Sequence, residues 1–187
     1  MKITFSEEQI QARVQAIAEQ ISRDSNNELI HAIGILDEGF MFLADLVRKL
    51  SCPVVCHFIK MESRDSTEEG HLPRRNILYG PVGDIARQNI LLVDVMVDSG
   101  ITLDHLVQQM LLRKPKSLRT AVLVDRPDRR RVDLRLDYTG FQWTGNRLIG
   151  YGLEKDGLYR NLPYVAELPS GEKGEEQKAP KSNRGGA

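Results

Sequence analysis

Between Asp94 and Thr102 the chain places two carboxylates four residues apart, followed by two hydroxyls and a glycine: Asp94, Asp98, Ser99, Gly100, Ile101, Thr102. At the start of a helix, such residues can hold an anion. Free backbone N–H groups, the positive end of the helix dipole and the Ser99 and Thr102 hydroxyls all favour phosphate, and Gly100 lets the backbone come close to it. Asp98 or Ser99 could equally act only as a helix cap, a role that both residue types favour. A second polar loop, Asp37-Glu38-Gly39, stands between an apolar run and an apolar helix. Two carboxylates there would repel a bound polyphosphate unless a cation intervened or the side chains turned outward.

These residues need a framework. Four consecutive apolar residues, Ile90 to Val93, read as a strand buried on both faces and ending at Asp94, the mark of a central parallel strand. Leu103, Leu106, Val107, Met110 and Leu111 then recur at helical spacing, so the loop between opens a helix. Earlier, Ser6 followed by Gln9 forms a capping box, and Ile10, Val14, Ile17 and Ile21 predict an amphipathic helix from about Ser6 to Arg23. Leu29 to Leu36 reads as a strand, Phe40 to Val47 as a helix, Pro53 to Met61 as a strand and Leu118 to Asp125 as another. Ile77 to Tyr79 reads as a short strand and Pro81 to Asp84 as a turn. Glu62 to Arg75 is polar and aperiodic, a long loop of the kind that often serves as an active-site lid. The basic run Arg126 to Arg131 reads as a solvated turn, because no aromatics for stacking on bases are interleaved with it. Alternating strands and helices predict an α/β fold.

The chain has 187 residues, 41% of them hydrophobic, which fits one domain with a single sizeable core. With 26 basic and 26 acidic residues the net charge is zero, so no global field directs the protein to nucleic acid or to an anionic membrane. The sequence shows no membrane-spanning run and no signal-peptide pattern, so the expected location is cytoplasmic. Cys52 and Cys56 would lie roughly 13 Å apart on an extended segment, too far to bridge, and are expected to be buried thiols. The four histidines are scattered and none is assigned a metal. Residues 169–187 carry no large apolar side chain and are expected to form a disordered tail after a domain spanning 1–168.

The pattern from Asn89 to Leu103 resembles the phosphoribosyl-pyrophosphate (PRPP) motif of the type I phosphoribosyltransferases, except that Val95 stands where a second acid is usual. ILDEGFMF is similar to the pyrophosphate loop of the hypoxanthine-guanine branch, with Asp37 and Glu38 in place of a basic and a small residue. The frame Asp-Tyr-x-Gly-Phe, Gly-Tyr-Gly-Leu and Tyr-Arg-Asn-Leu-Pro-Tyr, from Asp137 to Tyr164, resembles the C-terminal third of the bacterial hypoxanthine-guanine enzymes. The resemblance implies a type I phosphoribosyltransferase fold, a mainly parallel sheet flanked by helices with a small C-terminal hood. It implies Mg²⁺, PRPP and a purine base as ligands, and a homodimer or homotetramer.

Roles follow by position in that resemblance. Asp98 would be the general acid or base at the purine, with Ser99, Gly100, Ile101 and Thr102 holding the 5-phosphate and Asp94 the ribose hydroxyls. Asp37, Glu38, Gly39 and Arg160 would meet pyrophosphate, and Glu154 with Asp94 would meet the metal. Arg135, Arg147 and Leu148 would line the base pocket, Arg135 reaching the 6-oxo group and Arg147 stacking on the purine or admitting another base. Ser63 and Arg64 would belong to the lid. Two functions stay open at this level: a purine salvage enzyme, or a PRPP- or nucleotide-binding regulatory protein of the same fold with weak or no catalysis.

Overall fold

The computed structural model describes residues 1–60 and 83–169. Its centre is a five-stranded parallel sheet made of β2 (Ile30–Leu36), β3 (Val54–Lys60), β4 (Asn89–Val97), β5 (Ser117–Asp125) and β6 (Tyr138–Gln142), in the order β3-β2-β4-β5-β6. Helices α1 (Glu7–Ser25) and α2 (Phe40–Val47) cover one face and α3 (Ile101–Leu111) the other. Because side chains alternate along a strand, Leu91, Val93 and Val95 join the α1/α2 core while Ile90 and Leu92 join the α3 core; Val97, the last residue of the strand, departs from the alternation and also joins the α3 core. Burial on both faces explains why these strands read as unbroken apolar runs. The fold is therefore the α/β arrangement expected from the sequence.

The capping box read at Ser6 and Gln9 forms. Ser6 caps α1 by accepting from the Gln9 N–H at 3.3 Å, while Gln9 Oε1 accepts from the Ser6 N–H at 2.8 Å, which completes the box. Helix α2 occupies the expected residues. The central strand, however, continues past Asp94 to Val97, with Met96 and Val97 still paired to Val124 and Asp125. A half-buried acid inside a strand looked like the strand's end because only one of its faces tolerates a polar group.

Two further expectations are corrected. The hood is built from both ends of the chain: β1 (Lys2–Phe5) pairs antiparallel with β8 (Val165–Glu167), which pairs with β7 (Leu148–Ile149). A four-residue edge strand in front of a strong helix cap leaves little periodicity to read. Cys52 is buried as expected, but Cys56 is exposed, because β3 is an edge strand among the described residues and its only fully buried side chain is Ile59. The expectations for Ser63 and Arg64, for a strand at 77–79, for most of the turn at 81–84 and for a disordered tail beyond Pro169 fall outside the described residues.

Candidate active site

The carboxyl ends of β2, β4 and β5 carry the site, as parallel sheets of this kind dictate. After β4, Asp98-Ser99-Gly100 turns sharply into α3. Gly100 takes φ +79°, and a Cβ there would come within 2.7 Å of an Arg130 guanidinium nitrogen. Ser99 Oγ accepts from the Ile101 N–H at 3.4 Å. Asp94, Asp98, Ser99, Gly100 and Thr102 line a cavity of about 410 Å³, with Glu38 opposite them. Ile101 lines the neighbouring hollow, on the side of Arg129 to Arg131.

A second cavity of about 370 Å³ adjoins the first and is lined by Glu38, Asp98, Arg126, Arg147, Leu148 and Glu154. The structure thus gathers residues from four separated segments. Leu148, 1% exposed, forms an apolar wall from β7. Arg147 donates to the Glu154 main-chain oxygen at 3.0 Å and lies 3.7 Å from its carboxylate. Arg160 donates to the Gly152 carbonyl at 2.7 Å and stands 3.9 Å from Glu38 Oε1. Gly152 itself has φ +97°, and a Cβ would come within 2.1 Å of the Glu38 carbonyl, so the hood and the Asp37-Glu38-Gly39 loop touch through bare backbone.

Arg135 is the assignment that the structure corrects. Its side chain is 92% exposed, it pairs with Asp137 at 3.7 Å, and it lines neither cavity. Of the arginines that line the second cavity, Arg126 is the buried one, its side chain 2% exposed and its Nε 3.4 Å from Asp98 Oδ1. The basic run is therefore no simple solvated turn. Arg126 N–H donates to Val97 O and Arg131 N–H to Ser99 O, both at 2.9 Å, which fold the run back onto the phosphate-type loop. Arg130 pairs with Asp125 and lies over Gly100. Sequence reasoning missed Arg126 by treating six residues as one charge run. Its position directly after β5, at the carboxyl end of a buried strand, was the available signal.

Electrostatics separate the carboxylates. Burial pushes the Glu38 carboxyl up; Arg160 and Arg147 oppose this, and Glu154 and Asp98 add to it. Asp94 is pushed up to about 8, first by burial and then by Glu38, against hydrogen bonds from the Val95 and Met96 N–H groups. Asp37 turns the other way, 3.7 Å from Lys60, so only Glu38 of that pair faces the cavities. Another cavity, of about 260 Å³, lies at the opposite end of the strands. There Lys116 pairs with Glu28 at 2.6 Å, and Tyr138 OH donates to Asp24 at 2.9 Å, so its charges satisfy one another.

A strand that turns through a glycine loop into a helix, and beside it a cavity lined by both carboxylates and guanidinium groups under a small hood, make up the site. A family model described as phosphoribosyl transferase domain matches residues 6–155, and the chain belongs to that family. Within it, the chain is 34% identical over 173 residues to the hypoxanthine phosphoribosyltransferase of Salmonella typhimurium, covering 90% of this chain and 95% of that one. The crystal structure of a Bacillus anthracis hypoxanthine-guanine phosphoribosyltransferase, with a HEPES molecule in its active site, superposes with a TM-score of 0.83 at 36% identity, covering 90% of this chain and 99% of that chain. A variant of the Trypanosoma cruzi hypoxanthine phosphoribosyltransferase, solved with the product IMP, also gives 0.83 at 33% identity, covering 91% of each chain.

Proposed function

We propose that this chain transfers the 5-phosphoribosyl group of PRPP to hypoxanthine or guanine, releasing pyrophosphate, as a purine salvage enzyme. The observation that carries this reading is the Asp98–Arg126 pair. Asp98 Oδ1 and Arg126 Nε are buried, 3.4 Å apart and without a hydrogen-bond partner, in the cavity next to the Ser99–Thr102 loop. They offer an acceptor beside a donor, which complements the adjacent N7 and O6 of a 6-oxopurine whose N7 carries a proton. Salvage relatives, named above as transferases, favour the enzyme over a non-catalytic binder.

The transition state resembles an oxocarbenium ion, so the protein must position the partners, neutralise the leaving group and manage one proton. Asp98 takes the N7 proton as the new glycosidic bond forms, while Arg126 donates to the 6-oxo group. Leu148 packs against the base, and Arg147 lays a guanidinium at its rim. Ser99, Gly100, Ile101 and Thr102 hold the 5-phosphate, and Asp94 accepts from the ribose hydroxyls. Arg160 meets the pyrophosphate.

Asp94 and Glu154, which line the two adjoining cavities, would hold Mg²⁺, an ion that binds one or two carboxylates together with substrate phosphates and water; among the described residues no group of three acidic, histidine or cysteine side chains is set to hold a metal by itself. When bound, that ion supplies neutralisation of the developing pyrophosphate charge. A homodimer or homotetramer is supported by the apolar side chains that edge strand β3 exposes, Val55 at 40% and Phe58 at 49%. A cytoplasmic location is supported by the unpaired Cys52 and Cys56. Among the described residues no helix is long and apolar enough to cross a membrane.

The test is direct: PRPP and Mg²⁺ with hypoxanthine, guanine, xanthine or adenine, followed by nucleotide and pyrophosphate formation. Turnover with hypoxanthine or guanine, and at least tenfold less with adenine, is the expected result. Preference for adenine would overturn the assignment of Arg126 to a 6-oxo group.

A further inference from the structure

Glu38, Met96 and Asp98 are the residues shared by the two adjoining cavities. A nucleotide with its phosphate on the Ser99–Thr102 loop and its base against Arg126 and Leu148 must therefore pass its glycosidic bond between two carboxylates. Asp98 stands on the Arg126 side of that passage, 3.4 Å from its Nε, and Glu38 on the Arg160 side, 3.9 Å from its Nη1. The Glu38 backbone is fixed against Gly152, and the Arg160 that faces its carboxylate is itself held by the Gly152 carbonyl. A pair of carboxyl groups flanking a glycosidic bond is the arrangement that hydrolyses such bonds, one group giving a proton to the leaving group and the other taking a proton from water.

We propose, on the phosphoribosyl-transfer reading above, that this chain also hydrolyses purine nucleoside 5′-monophosphates, with Glu38 as general base toward water. The water oxygen forms a bond to C1′ as the C1′–N9 bond breaks, and that bond's electron pair leaves with the purine. Glu38 accepts a proton from the water, and Asp98, in its acid form, gives one to N7. The products are ribose 5-phosphate and the free base, and the two carboxyl groups return to their starting states by proton exchange with solvent. Asp98 here runs in reverse the proton transfer it performs in synthesis. What Glu38 adds is an acceptor for a water proton on the side where pyrophosphate would otherwise attack.

The experiment incubates the full chain with IMP or GMP and Mg²⁺, once with inorganic pyrophosphatase to remove traces of pyrophosphate and once with added pyrophosphate, and measures free base, ribose 5-phosphate and PRPP. The expected result is base and ribose 5-phosphate in equal amounts without pyrophosphate, reduced at least tenfold in both Glu38→Gln and Glu38→Gly. Base released only when pyrophosphate is added overturns the hydrolysis and leaves phosphoribosyl transfer standing. No base under either condition, from protein that also makes no IMP from PRPP, overturns both readings. Undiminished hydrolysis in folded Glu38→Gln and Glu38→Gly removes Glu38 from the role.

Discussion

Arg126 and Asp98 show what one residue can contribute when burial and charge are balanced against each other. A guanidinium 2% exposed is costly to desolvate, and its carboxylate neighbour at 3.4 Å, together with the Gly145 carbonyl that accepts from its Nη2, offsets that cost. Arg126→Lys keeps the charge but loses the fork, and is expected to raise the KM for hypoxanthine several-fold with the PRPP KM little changed. Arg126→Gln should raise it by about tenfold or more, since a charged hydrogen bond is replaced by a neutral one. Steady-state kinetics on both variants check this; a change confined to the PRPP KM would move Arg126 out of the base cavity. At this scale the sequence disclosed Asp98, Ser99, Gly100 and Thr102, because their order is tied to a strand-to-helix turn. It chose Arg135, which lines neither cavity, over Arg126, because which arginine turns inward depends on backbone bonds to Val97 and Ser99 that no local pattern encodes.

Loops and strands translate these residues into geometry. Gly100 is the tightest point of the phosphate-type loop, with a left-handed backbone under Arg130. Gly100→Val should cost about 1–3 kcal/mol of stability. Combined with Thr102→Ala it should weaken PRPP and IMP binding together, as titration calorimetry would show. On the opposite loop, Asp37→Lys with Glu38→Gly should tighten pyrophosphate inhibition and lower the Mg²⁺ requirement, since a carboxylate facing Arg160 is removed. No change in either quantity would take the loop out of the pyrophosphate site. Strands β2 and β3 carry a pH-dependent contact of their own, where His31 Nδ1 and His57 Nε2 lie 3.0 Å apart with stacked rings. Burial first, then His31, lowers the His57 pKa, so the native state favours the neutral ring. Unfolded chains therefore bind the extra proton, and stability should be full above about pH 6.5 and fall as the pH drops below it. His57→Gln should flatten that part of the Tm-against-pH curve. Element boundaries followed the sequence closely where a cap or a buried apolar run marked them; the short strands β1, β6, β7 and β8 were not read, and β4 was ended three residues early at Asp94.

For the molecule as a whole, the parallel sheet sets the carboxyl ends of β2, β4 and β5 side by side, and the hood closes over them from residues contributed by both ends of the chain. Phe5 of β1 stacks on Phe141 with ring centroids 4.2 Å apart, so the N-terminal strand ties the hood to the edge of the main sheet. That union could not be read from the sequence, because it pairs residues more than 160 positions apart, Lys2 with Glu167. A mainly parallel sheet flanked by helices was implied by family likeness and by alternation, and the site's location at the carboxyl edge followed from both, while the order of the strands came only with the structure. The central claim is that Asp98, placed by β4 and α3 beside the base cavity, moves the purine proton during phosphoribosyl transfer. Its most direct test compares Asp98→Asn with the unaltered chain in a steady-state assay with PRPP, Mg²⁺ and hypoxanthine. The account predicts a kcat lower by about 10²-fold or more with the KM for PRPP within a few-fold. Equal losses in PRPP binding and in turnover, or no loss at all, would contradict it and leave Asp98 as a structural partner of Arg126.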